Sequence, residues 1–321
     1  MTAVPTLVEP TLRLLASGDP DRPAESVGVR HRADASCKDS LLRVGLIGFG
    51  RTGRDVAKLL LTDNSMCLAW VLRRSDSLEH RSVREFLGVE SDEPGFIHSA
   101  AQISAAELLD RFPVDVIIDF SSEGGVDYYG EQAAIRGVAI VSAISRYSEA
   151  KQRQLERLSR TTQVLWSPNI TLGINFMLLA AQTLQRISPG VDVQIVEEHF
   201  RDKPEVSGTA LRLARALDMP DDAVHVIRAG GIIGVHEVLF GFPAQTVRLR
   251  HEAISREAFG NGAMFAARHV VDLEPGLYRM EDLLLPYFAD HEGTGVQREQ
   301  LRGGVRSRLA SGLRAMARRL D

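Results

Sequence analysis

The sequence feature that most constrains the fold is an apolar segment ending in glycine, VGLIGFG, which runs from Val44 to Gly50. A continuous apolar run of this kind is typical of a strand buried on both faces of a parallel sheet. RDVAKLLL follows with apolar residues at helical spacing, and CLAWVLRRS is then a second apolar run. The order of strand, helix and strand predicts a βαβ unit.

The alternation continues as far as Asn169. Three more buried strands are predicted in DVIIDFSS, VAIVSAIS and QVLWSPN, with helices between them. A long helix, INFMLLAAQTLQRI, then precedes strands in DVQIVEEHF, HVIRAG, HEVLFGF and QTVRLRHEA, and residues 259–287 are predicted to be helical again. The predicted fold class is therefore α/β: a Rossmann-type parallel-sheet domain plus an α+β substrate domain with a mixed, mostly antiparallel sheet.

These patterns divide the chain into four segments. Residues 1–41, rich in Pro, Asp, Arg and Ser, are predicted to be a mobile leader, and residues 289–321 an Arg-rich tail. Residues 42–172 are predicted to form the dinucleotide-binding domain, which a helical segment at about 268–288 rejoins. Residues 173–267 are predicted to form a domain for substrate binding and oligomerisation.

Composition favours small-molecule chemistry over nucleic-acid or membrane binding. The 321 residues carry a formal net charge of -4, so no general attraction to a polyanion is expected, and the Arg-rich tail is interpreted as a solvated helix face. No apolar run approaches the roughly 18 residues that span a bilayer. The two cysteines, Cys37 and Cys67, predict neither a disulfide framework nor a cysteine metal cluster, and the histidines show no metal-ligand spacing, so we expect no metal and a cytoplasmic location.

A nucleotide site is predicted at GFGRTG, directly between the first strand and the first helix. Gly48 allows a tight turn, Gly50 lets backbone approach a pyrophosphate and Gly53 lets the helix pack on the strand. The helix N-terminus adds N–H groups and a positive dipole end. The cofactor-binding residues predicted in this loop are Gly48, Phe49, Gly50, Arg51, Thr52 and Gly53.

The end of the second strand predicts which dinucleotide binds. An acidic residue there would hold the free ribose hydroxyls of NAD, but the chain has Arg73 and Arg74. Guanidinium groups form charge-assisted hydrogen bonds with a 2′-phosphate. NADPH is therefore the preferred cofactor, with NADH left open, and both arginines are predicted to bind it.

The stretch EEHFRDKPEVSGTALRLARAL, Glu197 to Leu217, carries the predicted chemistry. Ser207, Gly208 and Thr209 stand at the start of an apolar-faced helix, where hydroxyl and N–H groups make a cradle suited to a substrate carboxylate. Lys203 stands just outside it, and His199 ends a strand and titrates near neutrality. This arrangement suits reduction of an unsaturated carboxylated substrate, in which His199 or Lys203 supplies the proton that matches the hydride.

Five segments from Val44 to about Leu285 resemble the dihydrodipicolinate reductase family. They are DVIIDFSSEGG, SPNITLGINFM, EEHFRDKPEVSGTA, RAGGIIGVHEVLF and ISREAFGNGA, in the order and spacing of that family. The resemblance implies cofactor contacts at Phe120, Ser121, Ser142, Ile144, Pro168 and Asn169. It also implies that His199 and Lys203 are catalytic and that Ser-Gly-Thr grips a carboxylate.

The activity that this resemblance implies is NAD(P)H-dependent reduction of a cyclic imino dicarboxylate. The expected reaction converts 4-hydroxy-tetrahydrodipicolinate to tetrahydrodipicolinate in the diaminopimelate route to lysine. Family members have a Rossmann domain, a hinge and a substrate domain whose sheet usually assembles a tetramer, so a homotetramer is expected here.

Three departures from the family pattern concern the substrate pocket. Phe200 replaces the second of two adjacent histidines, Val206 alone replaces Ala-Pro before Ser-Gly-Thr, and Ser142-Ala143-Ile144-Ser145 replaces Gly-Thr-Thr-Gly. Losing polar groups from a polar-substrate site changes selectivity. Two alternatives therefore stay open: a member that acts on another cyclic imine or on an amino acid such as a diaminopentanoate, and a protein that senses NADPH without catalysis.

Overall fold

The computed structural model describes residue 37 and residues 40–79, 81–93 and 95–289. All of them belong to one compact unit. The predicted leader and Arg-rich tail lie outside the described residues, apart from positions 37, 40, 41 and 289. Within the described part of the chain, no helix is long and apolar enough to cross a membrane.

The first half of the chain alternates strands and helices as predicted. In chain order it contains β1 (Leu42–Ile47), α1 (Arg51–Leu61), β2 (Met66–Arg73), α2 (Val83–Leu87), β3 (Phe96–Ser99), α3 (Ala105–Arg111), β4 (Val116–Asp119), α4 (Gly125–Ile135), β5 (Ala139–Ser142), α5 (Glu149–Leu158) and β6 (Gln163–Trp166). The central strands β4 and β5 are buried at every position. This is the burial expected for continuous apolar runs covered by helices on both faces.

The second half of the chain begins with a long helix. It contains α6 (Leu172–Ile187), β7 (Asp192–His199), α7 (Gly208–Ala216), a short 3-10 helix (Asp221–Ala223), β8 (Val224–Arg228), β9 (Val235–Gly241), β10 (Thr246–Glu252), α8 (Glu257–Val270), β11 (Gly276–Tyr278) and α9 (Met280–Ala289). β7 alternates buried and half-buried positions, as one covered face and one open face require.

The first sheet is parallel and has the strand order β11-β6-β5-β4-β1-β2-β3. The chain leaves β1 toward β2 on one side and later returns to β4 on the other side. The strand order therefore reverses between β1 and β4. In open α/β sheets, ligands bind at the carboxyl ends of the strands at such a point.

The second sheet is mixed and has the order β10-β9-β7-β8. β7 pairs parallel with β8 and antiparallel with β9, and β9 pairs antiparallel with β10. The predicted fold class, a Rossmann-type sheet plus a smaller and mostly antiparallel sheet, is confirmed.

Three apolar clusters stabilise these layers. One face of the first sheet packs through Leu46 against α1, α8 and α9, and the other packs through Trp70 and Ile117 against α3, α4 and α5. The third cluster fills the space between the second sheet and helices α6 and α7, where Ile195 and Phe240 are fully buried. One face of the second sheet is thus covered by helices of the same chain.

The prediction of continuous helix over residues 259–287 is wrong in its middle. α8 ends at Val270, and β11 then pairs with β6 at the edge of the first sheet before α9 begins. Pro275 explains the interruption, because proline lacks an N–H group and disfavours helical backbone at the residue before it. The segment that rejoins the first sheet therefore contains a strand as well as helices.

The expectation that the two cysteines build no disulfide framework is also wrong. Cys37 and Cys67 are joined by a disulfide, with their Cα atoms 5.7 Å apart. Cys67 is the second residue of β2 and lies opposite Arg43 of β1, so the chain just before β1 passes close to it. The sequence gives no sign of this proximity, because it depends on the register of the two strands.

Candidate active site

The glycine loop between β1 and α1 is held by close backbone contacts. Gly48 has φ +95°, and a Cβ atom there would lie 2.7 Å from the carbonyl carbon of Phe120 and 2.8 Å from the nitrogen of Ser121. A Cβ atom at Gly53 would lie 2.0 Å from the carbonyl oxygen of Gly48, whereas one at Gly50 would meet no atom within 4 Å. Gly48 and Gly53 are therefore required for close internal packing, and Gly50 leaves open space at the helix N-terminus, where a pyrophosphate would fit.

The first turn of α1 faces this open space with uncompensated N–H groups. The helix begins at Arg51, Thr52 follows it, and the first turn contains no acidic residue. The side chain of Phe49 does not face the open space. It is buried, its ring lies 5.5 Å from that of Phe86, and the guanidinium of Arg54 covers both rings.

Arg73 and Arg74 lie at the carboxyl end of β2, directly beside the glycine loop. The N–H of Gly48 donates to the carbonyl of Leu72 at 2.9 Å, which fixes that proximity. Arg73 is half-buried, and Arg74 is exposed. The structure therefore brings two cationic side chains to the edge where the adenosine ribose of a dinucleotide is read.

A buried carboxylate that sequence reasoning missed, Asp119, ends β4 beside the glycine loop. It accepts hydrogen bonds from the N–H (2.8 Å) and hydroxyl (2.6 Å) of Ser121 and from the hydroxyl of Tyr129 (2.9 Å). Burial raises the pKa of Asp119, and these bonds oppose the rise. Asp119 thereby fixes the backbone at Phe120 and Ser121, the two residues predicted to contact the cofactor.

Two other predicted cofactor residues face the protein interior. The hydroxyl of Ser142 is fully buried and lies 2.8 Å from the hydroxyl of Tyr147. Ile144 packs its side chain in the apolar cluster beneath α4 and α5, and its carbonyl accepts a hydrogen bond from Trp166 Nε1 (2.8 Å). Neither side chain is therefore exposed at the carboxyl end of β5.

Asn169 joins the first sheet to the predicted carboxylate cradle. Its Nδ2 donates to the hydroxyl of Thr209 at 3.0 Å, and its Oδ1 accepts from the N–H and hydroxyl of Thr171. Pro168, half-buried, precedes it at the end of β6. A predicted cofactor residue and a predicted substrate residue are thus in direct contact.

His199 is the last residue of β7, and its side chain is 10% exposed. Its Nδ1 contacts a carboxylate oxygen of Glu197, and its ring packs edge-on against that of His236 with centroids 5.3 Å apart. Burial lowers the pKa of His199 below its ordinary value, and the contact with Glu197 opposes this. This direction is expected because a buried imidazole loses hydration of its charged form.

Glu197 and Arg228 form a buried ion pair behind His199. Nη1 and Nη2 of Arg228 donate to the two oxygens of Glu197 at 3.0 and 2.8 Å. The same guanidinium donates to the carbonyls of Lys203 (3.0 Å) and Glu205 (2.9 Å). One arginine therefore neutralises the buried carboxylate and holds the loop that carries Lys203.

The Ser-Gly-Thr segment lies at the N-terminus of α7 as predicted, with Ser207 as the N-cap residue. The N–H of Ser207 donates to Glu197 at 3.1 Å, and its hydroxyl lies 2.9 Å from Nε2 of His236. Burial lowers the pKa of His236 to about 3, so this ring is neutral. A Cβ atom at Gly208 would meet no atom within 4 Å, and so the first N–H groups of the helix face open space.

Lys203 and Phe200 lie on the loop between β7 and α7. The N–H of Lys203 donates to the carbonyl of Phe200 at 3.1 Å, closing a turn directly after His199. Among the described residues, the ammonium of Lys203 has no hydrogen-bond partner, and its charge helps to lower the pKa of His199. Phe200 as a whole residue is 44% exposed. An apolar surface thus stands beside the histidine where the family pattern has a second polar ring.

Sequence reasoning missed Glu197, Arg228 and His236, which sheet register brings to the site. His199 lies opposite Arg228, and Glu197 lies opposite His236. The period-two alternation of β7 was a usable signal for Glu197, since residues two apart share a face. The other two were not deducible without the strand pairing.

The fold and this site define a class of protein. A Rossmann-type sheet with a glycine loop, joined to a smaller mixed sheet that bears a histidine and a lysine, is the architecture of an NAD(P)H-dependent oxidoreductase.

Comparison with known families is more specific. Residues 42–170 match the family described as dihydrodipicolinate reductase, N-terminus, and residues 170–284 match dihydrodipicolinate reductase, C-terminus. The chain belongs to the dihydrodipicolinate reductase family.

Similar proteins agree with this assignment. The chain is 32% identical over 260 residues to the 4-hydroxy-tetrahydrodipicolinate reductase of Nitratidesulfovibrio vulgaris strain DP4, covering 73% of this chain and 95% of that protein. It is 33% identical over 192 residues to the enzyme of the same name from Caldanaerobacter subterraneus subsp. tengcongensis, covering 53% of this chain and 76% of that protein. The dipicolinate-bound dihydrodipicolinate reductase from Paenisporosarcina sp. TG-14 has the same fold, with a TM-score of 0.64 at 21% identity over 76% of this chain and all of that one.

Proposed function

We propose that the protein reduces 4-hydroxy-tetrahydrodipicolinate to tetrahydrodipicolinate with NADPH, in the diaminopimelate route to lysine. The observation that carries the proposal is the contact between Asn169, at the edge of the nucleotide-binding sheet, and Thr209, in the carboxylate cradle. This contact supports a single crevice in which the nicotinamide would lie beside the site for a substrate carboxylate. The relatives that share about a third of the sequence bear the name of this activity.

The glycine loop would hold the cofactor. Gly50 and the first turn of α1 offer open space and unpaired N–H groups to a pyrophosphate. NADPH, when bound, supplies the hydride. Arg73 and Arg74 support the preference for NADPH, because guanidinium groups attract a 2′-phosphate that a carboxylate would repel.

The cradle at α7 would hold a carboxylate of the substrate. Gly208 and Thr209 present the open N-terminal turn, where helix N–H groups and the dipole favour an anion. Lys203 adds a cationic group on the adjacent loop. These groups would hold the carboxylate beside Asn169, which contacts Thr209 at the edge of the nucleotide-binding sheet.

His199 and Lys203 are the proposed proton donors. Their positions at the end of β7 and on the next loop put both beside the cradle. The hydride adds one electron pair to the substrate, one of these side chains delivers the matching proton, and the 4-hydroxyl group leaves as water, which balances the reaction.

The first experiment measures NADPH oxidation with the freshly generated condensation product of pyruvate and aspartate semialdehyde, with NADH as a parallel cofactor. Wild-type turnover that falls by about 100-fold or more in His199→Ala, with NADPH affinity unchanged, supports the proposal. A wild-type protein that binds NADPH and leaves this substrate untouched contradicts it. Higher kcat/KM with NADH than with NADPH contradicts the cofactor preference.

A second candidate is reduction of another cyclic imine, or oxidation of an amino acid such as a diaminopentanoate. The exposed ring of Phe200 favours it, since an apolar surface replaces a polar group beside His199. Assays with those compounds separate the two candidates, and Phe200→His should raise activity on 4-hydroxy-tetrahydrodipicolinate only if the pocket is specialised for something else. Binding of NADPH with no turnover of any such compound would favour a sensor.

We also propose that the protein assembles as a homotetramer through the open face of its second sheet and works in the cytoplasm. The open face supports assembly, since it carries half-buried Val196 and Leu239 between charged residues. The biosynthetic role of the family supports a cytoplasmic location, whereas the disulfide between Cys37 and Cys67 argues against that location, because disulfides persist in oxidising compartments.

A further inference from the structure

The carboxylate of Glu197 is saturated with donors. The residue is 0% exposed, yet its two oxygens accept four hydrogen bonds. Oε2 contacts Nδ1 of His199 and accepts from Nη1 of Arg228, and Oε1 accepts from Nη2 of Arg228 and from the N–H of Ser207. A carboxylate has about four acceptor sites, so all of them are used.

The bond to His199 selects one form of the imidazole. Burial raises the pKa of Glu197, but the bonds from Arg228, Ser207 and His199 outweigh burial and lower that pKa below its ordinary value. An ionised carboxylate can only accept, so Nδ1 of His199 must carry a proton. Nε2 is then the nitrogen that gains or loses the proton, and a carboxylate that orients a histidine in this way also stabilises the imidazolium.

The bond to Ser207 fixes the other half of the site. Ser207 is the N-cap residue of α7, and its N–H would otherwise be one of the unpaired donors of the helix. Because Oε1 of Glu197 takes this N–H at 3.1 Å, the helix start is tied to the strand that carries His199. Arg228 extends the tie to the Lys203 loop through its bond to the carbonyl of that residue.

We propose that Glu197 is the positioning residue of the site, which fixes the Nδ1–H tautomer of His199 and holds the carboxylate cradle in register with it. The effect of Glu197 on catalysis rests on the proposed function. Its effect on the His199 tautomer and on the position of Ser207 does not. Arg228 completes the arrangement by neutralising the carboxylate.

Several charged or titratable groups influence His199 besides Glu197. They are Lys203 on the following loop, Arg228 on β8, His236 on β9 and, through His236, His251 on β10. Burial, Lys203 and Arg228 lower the pKa of His199, whereas Glu197 raises it. Removal of the Glu197 charge should therefore lower the pKa of His199 further.

The variant Glu197→Gln tests the inference because it keeps the side-chain shape. The amide has one oxygen and one NH2 group, so the NH2 group must face either His199 and Nη1 of Arg228, or Ser207 and Nη2 of Arg228. If protonated His199 is the acid, activity falls as pH rises through its pKa, and the fall should occur at lower pH in this variant. We expect kcat near neutral pH to drop about 100-fold or more, with a smaller change in KM for NADPH.

Nitrogen-15 spectra of the full-length protein give a readout independent of turnover. The His199 signals are assigned by their loss in His199→Ala. Wild-type protein should show the Nδ1–H tautomer, and Glu197→Gln should show a lower His199 pKa and a gain of the Nε2–H form. Glu149→Gln, which alters an exposed glutamate on α5, is the matched control and should change neither the spectrum nor the pH profile.

An Nε2–H tautomer in the wild type, or an unshifted His199 pKa and pH profile in Glu197→Gln, would overturn the inference. If Glu197→Gln does not fold, the wild-type tautomer decides alone. Failure of the proposed function looks different: the wild type then leaves the substrate untouched while the spectra still report the state of His199.

Discussion

At the scale of single residues, Gly234 lies beside Nε2 of His199, the nitrogen proposed to exchange the proton. A Cβ atom at position 234 would lie 3.1 Å from Nε2 of His199, closer than most side-chain contacts. Gly234→Ala should therefore crowd Nε2 and reduce kcat by about 10-fold, which corresponds to about 1.4 kcal/mol. Steady-state kinetics and NADPH titration should show that cofactor affinity is unchanged.

The matched control for Gly234 lies in the same loop. A Cβ atom at Gly231 would meet no atom within 4 Å, so Gly231→Ala should retain wild-type kinetics. Equal loss of activity in both variants would indicate that loop flexibility, and not access to Nε2, sets the rate.

The residues of the candidate site divide into those that the sequence predicts and those that it hides. His199, Lys203 and Ser207 to Thr209 lie on one short stretch, so their proximity is readable as a pattern. Arg228 and His236 come from other strands, and only the pairing of β7 with β8 and β9 brings them to Glu197 and His199. The direction of a side chain is equally unpredictable from the sequence. Ser142 and Ile144 lie where the family pattern has cofactor contacts, yet their side chains face the protein interior.

At the scale of elements, the turn into α1 contains two glycines that close packing requires, Gly48 and Gly53, and one that we propose for cofactor binding, Gly50. Gly53→Ala places a Cβ atom 2.0 Å from the carbonyl oxygen of Gly48 and should destabilise the protein by about 3 kcal/mol. Gly50→Ala meets open space, so its free energy of unfolding should be close to that of the wild type. Its NADPH affinity should nevertheless fall by at least about 10-fold, because the methyl group occupies the space facing the helix N-terminus.

Thermal unfolding without ligand and fluorescence titration with NADPH distinguish these effects. Unchanged NADPH affinity in Gly50→Ala would contradict the placement of the pyrophosphate at this turn. Wild-type stability in Gly53→Ala would contradict the observed approach of α1 to β1.

The disulfide yields a prediction about the start of the first sheet. Cross-linking residues 30 apart reduces the entropy of the unfolded chain, so Cys37→Ser should lower the free energy of unfolding by about 3 to 4 kcal/mol. Denaturant unfolding with and without reductant measures the difference, and the variant should lose its sensitivity to reductant. A wild type insensitive to reductant would show that the cross-link does not contribute to stability, and alkylation in intact cells would reveal whether it forms there.

Elements were predictable where their sequence pattern was long and unbroken. β1, β2, β4, β5 and β6 follow continuous apolar runs, and these were found as predicted. β11 has only three residues, too few for a periodic signal, and Pro275 and Gly276 obscure it. β3 is as long as β4, β5 and β6, but half of its sequence, FIHS, is polar, so it lacks the continuous apolar run of those strands. Such strands form because a neighbouring strand supplies their hydrogen bonds, which is a tertiary effect.

At the scale of the whole molecule, the two faces of the second sheet differ in what covers them and in the side chains they carry. One face is covered by α6 and α7 and holds the apolar cluster around Phe240. The other carries a ladder of ion pairs, in which Arg250 bonds to Glu198 of β7 and also lies near Glu237. The sequence predicts only that one face of this sheet packs in the core, because the alternation of β7 shows which side is apolar. It does not predict what the polar side contacts.

The predicted tetramer can be tested at Val196, which lies on that open face opposite Glu237. Val196→Glu adds a third carboxylate near Glu237 and Glu198, and like charges that an interface excludes from water are destabilising by several kcal/mol. We expect light scattering to show a tetramer for the wild type and smaller species for the variant. Ile135→Glu is the matched control, since this residue at the end of α4 is 73% exposed on the first-sheet side and should leave assembly unchanged. A wild-type monomer would contradict assembly outright, and a Val196→Glu tetramer would move the interface to another surface.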